Sequence, residues 1–373
     1  MIFLLFFVSF QLFLLNTHLN TNLNDEIERS VELYLKPFPI ITKEMMDNSI
    51  RHAFSKHHSR NTTVLFQYID GKLHCDTSLF HSMHLWDQQR LQFIKNTLHT
   101  LLSYRHFDRD FELVYNTHDC PVRKLFHNQD SLLGPIFGNL RCPRAHAAVI
   151  PFPQWYYRRD GSFGNMTWPV NEHWRETWHS RKPVAAHRGF YRSTCLTPQL
   201  HFVNLNATNP FACGRGALLN QPSAFVDVAL FSDIPEHNRI LPSGIPMPME
   251  QQARAYKYVI YAEGNCGWAD RLKILLSLGM LIFLQDTPCH EWYQAHMQPW
   301  KHYVPVAYDW SNLVERIEWA RKHDIEAQLI VQNAFDLGKA LMNPTIWQDY
   351  LYELLFEYSQ RLNYKITKRL LQP

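Results

Sequence analysis

Residues 256–284 have the sequence YKYVIYAEGNCGWADRLKILLSLGMLIFL. The apolar and aromatic runs at residues 256–261 and 280–284 each predict a strand. Between them, residues 263–267 predict a glycine-containing turn and residues 268–278 predict a helix. The stretch therefore predicts a β-α-β unit, in which two parallel strands lie in one sheet.

The segments on both sides of this unit continue the alternation of strands and helices. Downstream, residues 304–306 predict one more short strand. The predicted surface helices that follow, with alternating apolar and charged positions, are residues 312–323, 326–341 and 345–362. The fold class is therefore α/β, with an open and mostly parallel sheet.

The upstream half carries a different pattern. Short apolar runs on both sides of the Asp70-Gly71 pair predict a hairpin. A helix is predicted over residues 86–104 and a buried strand over residues 111–115. Residues 121–183 are rich in Pro, Trp and Arg without periodicity, so we expect loops that face the substrate and a crossing between domains.

Length and charge restrict the class of protein. The chain has 373 residues and 46% hydrophobic composition, which is enough for a large core and favours two domains. The net charge of +3 is spread along the sequence without a basic block, so no nucleic-acid partner is predicted.

The N-terminal segment indicates the secretory route. Residues 2–15 are almost entirely apolar, as in the core of a signal peptide, and an uncleaved membrane anchor is the alternative. Glycosylation sequons begin at Asn61, Asn165 and Asn206. The 7 cysteines are compatible with up to three disulfides and one remaining thiol, with the pairing open.

The turn at residues 263–267 is the first candidate binding site. It follows a strand and precedes a helix, a position where parallel sheets bind phosphate groups. Gly264 and Gly267 would allow close backbone approach, while Arg271 and Lys273 could neutralise a diphosphate leaving group. The alternative is a tight structural turn with solvated basic residues.

Arginines next to glycines occur at two other places. Arg188, which follows the apolar residues 184–186, is expected at a strand end where it could reach phosphate, although Arg-Gly is also a common turn pair. Gly214-Arg215-Gly216 lacks the third glycine and the preceding strand of a dinucleotide-binding fingerprint. We therefore assign no role to Arg215 from sequence.

A general base needs a carboxylate or imidazole near the reacting hydroxyl. Asp119 is the leading candidate because it lies just past the predicted strand at residues 111–115, and its neighbour His118 is the competitor. An Asp close to a Pro can equally be a turn former. No metal site is predicted, since His290 and His296 are six residues apart and helical zinc sites need a spacing of four.

From Tyr256 onward the sequence resembles the CAP10-like family that includes the Rumi-type protein O-glucosyltransferases, glycosyltransferase family 90. The strongest match is QPWKHYVPV at residues 298–306, followed by the Glu-Gly-Asn turn with its downstream Arg-x-Lys. Weaker matches are HRGFYRS, AFVDVALF and FELVYNTHDCP. The resemblance covers about residues 110–357.

The resemblance implies a GT-B architecture, in which two Rossmann-like domains face a central cleft and C-terminal helices pack back. The implied segments are a signal or anchor at 1–20, an acceptor-side domain at 26–180, a UDP-sugar domain at 181–345 and a C-terminal helix at 346–373. It also implies inverting transfer from a UDP-sugar, commonly UDP-glucose or UDP-xylose, to a hydroxyl of a protein or polysaccharide. Neither a metal nor another cofactor is expected.

The resemblance also implies roles for individual residues. Asp119 matches the general base, and Arg271 is expected on the diphosphate. The implied donor-binding residues are Arg188, Gly189, Ser193, Gly264, Asn265, Cys266, Gly267, Trp268, Ala269, Asp270 and Arg271.

Two departures from the family pattern affect the donor site. Family members often have Ser directly after the Arg-Gly pair, where this chain has Phe190. The expectation is that one donor contact is either lost or supplied by Arg192 or Ser193. The donor turn is one residue longer through Cys266. The altered loop motivates an alternative function, a non-catalytic lumenal protein that binds glycans or nucleotides.

The expected location is the lumen of the endoplasmic reticulum or Golgi, with anchoring or secretion open. The last residues do not match a Lys-Asp-Glu-Leu-type retrieval signal, and past residue 16 no apolar run is long enough to span a membrane. A membrane contact is therefore expected only through the N-terminal segment.

Overall fold

A computed structural model gives the fold of the chain. It describes residues 25, 27–54, 62–75, 83, 85–117, 133–141, 149–153, 168–191, 194–196, 202–204, 214–232, 246–264, 269–287 and 289–369. Among these residues, no helix combines the length and the apolar character that crossing a bilayer requires. The N-terminal apolar segment and the three sequon asparagines lie outside the described residues.

Five strands form a mixed first sheet. They are β1 (Thr63–Ile69), β2 (Lys72–Cys75), β3 (Phe111–Asn116), β4 (Ile136–Gly138) and β5 (Val149–Pro151). Their order is β2-β1-β3-β4-β5, with β1 antiparallel to β2 and β3, and with β3, β4 and β5 mutually parallel. The antiparallel pairing includes the predicted hairpin, and the parallel pairing of β3, β4 and β5 agrees with the predicted mostly parallel sheet.

The predicted hairpin, helix and strand of the upstream half are confirmed. Asp70 and Gly71 have φ angles of 48° and 75°, the left-handed conformation that a two-residue hairpin turn requires. Helix α1 (Lys43–Ala53) precedes the hairpin and helix α2 (Leu85–Tyr104) follows it. The expectation of loops throughout residues 121–183 is wrong where the structure describes this segment, because β4 and β5 lie there.

The second sheet is entirely parallel. The remaining strands are β6 (Lys182–Phe190), β7 (Thr194–Leu196), β8 (Phe202–Asn204), β9 (Val226–Phe231), β10 (Tyr256–Tyr261), β11 (Leu281–Gln285) and β12 (Val304–Val306). The sheet order is β12-β11-β10-β6-β9, while β7 and β8 form a separate antiparallel pair. The strand order therefore reverses between β6 and β10: β9 follows on one side of β6, and β10, β11 and β12 follow on the other, as in a doubly wound sheet.

The helices of the second half alternate with these strands and continue to the C-terminus. They are α3 (Trp174–Thr177), α4 (Gly214–Ala217), α5 (Met249–Ala255), α6 (Leu272–Leu276), α7 (Leu313–Lys322), α8 (Asp324–Leu341) and α9 (Pro344–Arg361). The sequence predicts α7, α8 and α9 to within two residues. The helix predicted over residues 268–278 is shorter than expected, because only Leu272–Leu276 is α-helical.

The buried apolar side chains form two main cores. The first core includes the first sheet and one face of β10 and β11, with Val259 and Ile282, whereas the second core lies on the other face of those strands. In the second sheet, Tyr258 packs edge to face against Trp178 and Phe283, with ring centroids 6.3 and 5.7 Å apart. In the first core, the C-terminal helix α9 packs on the first sheet, where the ring of Tyr358 lies 5.1 Å from that of Phe137. The chain therefore returns to its N-terminal half, as the resemblance implies. The predicted domain boundaries stay predictions.

A buried ion pair holds the C-terminal segment on the first sheet. Glu112 in β3 has no exposed surface, and both of its carboxylate oxygens accept from the Arg369 guanidinium, at 2.8 and 2.6 Å. Gln67 and Tyr364 donate to the same carboxylate at 2.8 and 2.9 Å. Since a buried carboxylate requires this compensation, the tail is part of the folded unit.

Replacing Arg369 with Met should lower the free energy of unfolding by about 3 kcal/mol, the low end for breaking a buried ion pair. The apolar stem remains while Glu112 loses its cation. Lys339→Met is the matched control, because the Lys339–Glu172 pair is 46% and 54% exposed and should contribute less than about 0.5 kcal/mol. Urea denaturation of both variants gives the two values, and equal losses would contradict this account.

Candidate functional site

The second sheet opens between its two central strands. The pairing of β6 with β10 ends at Ala186 and Val259. Beyond that point, β6 stays paired with β9 as far as Phe190, and β10 stays paired with β11 as far as Tyr261. The carboxyl ends of β6 and β10 therefore diverge where the strand order reverses, which is the usual ligand site of such sheets.

Two guanidinium groups occupy this opening and bind backbone carbonyls of the diverging strands. Arg271 Nη1 donates to Arg188 O at 2.6 Å. Arg215 Nη1 donates to Phe190 O at 2.9 Å, and its Nη2 lies 3.4 Å from Ala262 O. Because buried carbonyls need a donor, these contacts satisfy the backbone and fix the orientation of both guanidinium groups.

Arg215 is a functional candidate that sequence reasoning missed. It is 5% exposed and is the second residue of the short helix α4, directly after Gly214, whose φ of 56° favours glycine. The only sequence signal is an arginine between two glycines. Its functional interest comes from its contacts with the carbonyls of Phe190 and Ala262, which are distant in the chain.

Gly189 makes room for these side chains. A Cβ at this position would stand 2.6 Å from Arg271 Nη2, 3.2 Å from His187 Nε2 and 3.4 Å from Arg215 Nη1. The glycine predicted at the donor site is therefore needed because three nitrogen-bearing groups surround the same point.

His187 is the third of these groups and was not a predicted site residue. It has no exposed surface, and its Nδ1 lies 2.9 Å from Ile260 O. Burial, together with the positive charges of Arg271 and Arg215, holds the pKa of His187 well below its usual value. The imidazole is therefore neutral at physiological pH.

The side chain of Arg188 lies on the opposite face of β6. Its Nη2 pairs with Asp227 Oδ1 at 2.6 Å, and the Arg188 side chain is only 8% exposed. Tyr256 donates to the other oxygen of Asp227. Arg188 was expected at a strand end, and it is among the last three residues of β6, which ends at Phe190. A contact of Arg188 with the donor stays a prediction.

The predicted donor turn is anchored at both ends. At its start, Glu263 N donates to Gln285 Oε1 at 2.9 Å, and Tyr308 OH donates to the Glu263 carboxylate. At its end, Tyr261 OH donates to Ala269 O at 3.2 Å. The intervening predicted residues Asn265, Cys266, Gly267 and Trp268 lie outside the described residues, whereas Gly264, Ala269 and Asp270 are described.

The expectation that Lys273 neutralises a diphosphate is wrong. Its side chain is 1% exposed, hydrogen bonds to Asp270, and lies 3.4 Å from Glu291 Oε2. Burial opposes the charge, but the carboxylates of Asp270 and Glu291 outweigh it and raise the pKa of Lys273. Lys273 is therefore a buried cation that forms an ion pair with Asp270, the residue before Arg271.

The positive charge of the site comes from side chains more than from a helix start. Helix α6 has only 5 residues, and the macrodipole of so short a helix is small. Arg215 and Arg271 each carry a full charge and present several N–H donors in one plane. The crevice is therefore suited to an anion with several oxygens, such as a diphosphate.

The predicted general base lies outside the described residues, as do His118, Arg192 and Ser193. Thr117 is the last described residue before the segment with Asp119, and several hydrogen bonds fix its position directly after β3. Its Oγ1 donates to Asp87 Oδ1 at 2.7 Å, its N donates to Thr62 O at 2.7 Å, and its carbonyl accepts from Arg90 at 2.6 Å. The segment that carries Asp119 therefore starts from a fixed point.

The two sheets are joined close to their carboxyl ends. Arg141, shortly after β4, forms an antiparallel bridge with His290, which follows β11. The two N-to-O distances are 2.9 and 2.8 Å. Since β3 is parallel to β4 and adjacent to it, the end of β3 lies on the edge of the first sheet that approaches the second.

The histidine-rich segment does not form a metal centre in the described part of the chain. There, no three His, Cys, Asp or Glu side chains are grouped so that they could hold an ion. His290 makes the backbone bridge to Arg141, and His296 is buried at 4% exposure.

Gly189→Ala should weaken binding of inorganic pyrophosphate about tenfold or more, because the new Cβ displaces the Arg271 guanidinium from its place beside Gly189. Stability should change little, since the displaced group is the end of a flexible side chain. Isothermal titration calorimetry measures the affinity. In an Arg271→Ala background the same substitution should add no further loss, and an equal loss in both backgrounds would contradict this role.

The chain is similar to known proteins over part of its length. Over 110 residues the chain is 33% identical to Protein O-glucosyltransferase 3 of Homo sapiens. The aligned segment covers 30% of this chain and 22% of that protein. Over 106 residues it is 34% identical to Protein O-glucosyltransferase 2 of Danio rerio, which covers 28% and 21%. It is also 37% identical over 111 residues to Uncharacterized protein 027R of Frog virus 3 (isolate Goorha), which covers 28% and 11%.

The matched segment thus spans about a fifth of the length of the two glucosyltransferases. The model of the family described as Glycosyl transferase family 90 matches residues 26–371. Since this match includes nearly the whole sequence, the chain belongs to glycosyl transferase family 90.

Proposed function

We propose that the chain is an inverting glycosyltransferase that moves a sugar from a UDP-sugar to a hydroxyl group of a protein acceptor. Arg271 and Arg215 hold the diphosphate, and Asp119 is the general base. The observation that carries this proposal is the pair of guanidinium groups between β6 and β10, in a chain of family 90.

The chemistry needs stabilisation of the departing UDP. As the acceptor oxygen attacks C1 of the sugar, the bond from C1 to the UDP oxygen breaks and negative charge develops on the diphosphate. Guanidinium groups that are already oriented by Arg188 O and Phe190 O stabilise this charge without reorganisation. The Asp119 carboxylate takes the proton of the acceptor hydroxyl, and attack from the face opposite UDP inverts C1.

The topology supports an approach of the base to the donor. Asp119 is two residues beyond Thr117 in the sequence, and Thr117 lies at the edge of the first sheet that the Arg141–His290 bridge joins to the second. We propose a cleft between the two sheets, as in the GT-B arrangement, with the acceptor on the side of Asp119. Arg188 is placed less favourably for a phosphate contact than Arg215, because Arg188 pairs with Asp227.

We propose that transfer is independent of metal ions. Two guanidinium groups supply the positive charge that a divalent cation supplies in metal-dependent transferases. Transfer should then persist in the presence of a chelator.

The proposals for the donor sugar, the acceptor and the compartment rest on the relatives and on one disulfide. The names of the relatives, which describe O-glucosyltransferases, favour UDP-glucose as donor and a protein hydroxyl as acceptor. UDP-xylose is the alternative donor, and a polysaccharide is the alternative acceptor. Cys289 is disulfide-bonded, which supports the oxidising lumen of the secretory pathway.

Asp119→Asn should lower the rate of transfer about a hundred- to ten-thousand-fold, the usual contribution of a general base, while UDP affinity stays unchanged. Asp110→Asn is the matched control, because Asp110 directly precedes the other end of β3 and accepts from Asp70 N at 3.0 Å. Transfer is measured as UDP released from a panel of UDP-sugars with a protein acceptor. Wild-type turnover in Asp119→Asn would contradict the assignment.

The same panel separates the enzyme from the non-catalytic binder. An enzyme releases UDP above background with at least one donor, whereas a binder binds UDP without releasing it from any UDP-sugar. A wild-type protein that binds UDP but is inactive with every donor would therefore contradict the proposed function.

A further inference from the structure

His187 is a buried polar residue for which the proposed reaction has no role so far. It lies where β6 and β10 stop pairing, and its exposed fraction is zero. Nδ1 bonds to the carbonyl of Ile260 at 2.9 Å, whereas Nε2 is buried with no hydrogen-bond partner in the part of the chain that the structure describes. A buried acceptor of this kind normally costs about 1–3 kcal/mol.

The hydrogen-bond pattern fixes which nitrogen carries the proton. A carbonyl oxygen only accepts, so Nδ1 must donate to Ile260 O, and Nε2 of the neutral ring is then an acceptor. Burial and the charges of Arg271, Arg215 and Arg188 keep the ring neutral. His187 therefore presents a lone pair across the physiological pH range.

This lone pair lies beside the two guanidinium groups of the site. Nε2 is 3.2 Å from the point where a Cβ of Gly189 would stand, and Arg271 Nη2 is 2.6 Å from the same point. Arg215 Nη1 is 3.4 Å from it. A partial negative charge next to two cations attracts them, and Gly189 leaves the space between them open.

We propose that His187 is a positioning residue of the donor site, whose Nε2 lone pair keeps the Arg271 guanidinium over Gly189 in the orientation that meets a diphosphate. This rests on the proposed function only in the identity of the anion. The attraction adds to the bond from Arg271 Nη1 to Arg188 O, so the guanidinium keeps its place beside Gly189 when a diphosphate binds. The site thereby starts from an oriented cation, and less ordering is needed on binding.

The bond from Nδ1 to Ile260 O gives His187 a structural role as well, and two variants separate the roles. In His187→Asn the amide nitrogen takes the position of Nδ1 and keeps the bond to Ile260 O, but nothing replaces Nε2. In His187→Gln the end of the side chain reaches the position of Nε2 but loses Ile260 O. His187→Phe keeps the ring shape and loses both nitrogens.

The measurements are the dissociation constants of UDP and inorganic pyrophosphate by calorimetry, the urea midpoint, and the donor KM and kcat where transfer is detected. His187→Asn should keep the wild-type midpoint and bind both ligands about tenfold more weakly, with KM raised more than kcat is lowered. His187→Gln should have a lower midpoint and ligand affinities within about threefold of wild type. His187→Phe should show both losses.

Wild-type ligand affinity in His187→Asn would overturn the proposal. It would also be overturned if the loss of affinity in each of the three variants were proportional to the fall in its urea midpoint. A wild type that binds pyrophosphate but not UDP would contradict the UDP-sugar assignment alone, and the pyrophosphate constants would then decide on His187. Binding of neither ligand would refute both proposals.

Discussion

The divergence of β6 from β10 is the constraint on which the rest of the site depends. Parallel strands that separate leave carbonyl groups without their ladder partners, and buried carbonyls need donors. Here the donors are side chains: Arg271 for Arg188 O, Arg215 for Phe190 O, and His187 for Ile260 O. The orientation of the cationic groups therefore follows from the backbone topology, and the strand order fixes where the site lies.

This arrangement has an electrostatic consequence. Two guanidinium groups around one buried point repel each other, and a water-poor crevice screens that repulsion weakly. An anion that bridges the two guanidinium groups relieves their repulsion. This relief contributes to the free energy of diphosphate binding. The neutral state of His187 follows from the same field, because a third positive charge at this point would be strongly disfavoured.

Local sequence patterns predicted much of the fold. The Asp70-Gly71 turn, the β-α-β unit and the short strand Val304–Val306 were all found from turn chemistry and apolar periodicity. Strands β4 and β5 were missed because three residues each are too few to show a period within a segment rich in proline. The site was harder, because its contacts join distant positions. Lys273 pairs with Glu291, 18 residues away, and Arg215 contacts the carbonyl of Ala262, 47 residues away.

The central claim is that Arg215 and Arg271 form one diphosphate site because strand carbonyls hold both guanidinium groups. The most direct test is calorimetric binding of UDP to Arg215→Lys, since a lysine cannot bind a strand carbonyl and phosphate oxygens with one rigid planar group. Arg321→Lys is the control, because Arg321 also donates to two backbone carbonyls, at 2.9 and 2.7 Å, but does so from an exposed position at the opposite end of the sheet. The account predicts that Arg215→Lys weakens UDP binding about tenfold or more while Arg321→Lys leaves it unchanged. Unchanged binding in Arg215→Lys would contradict it.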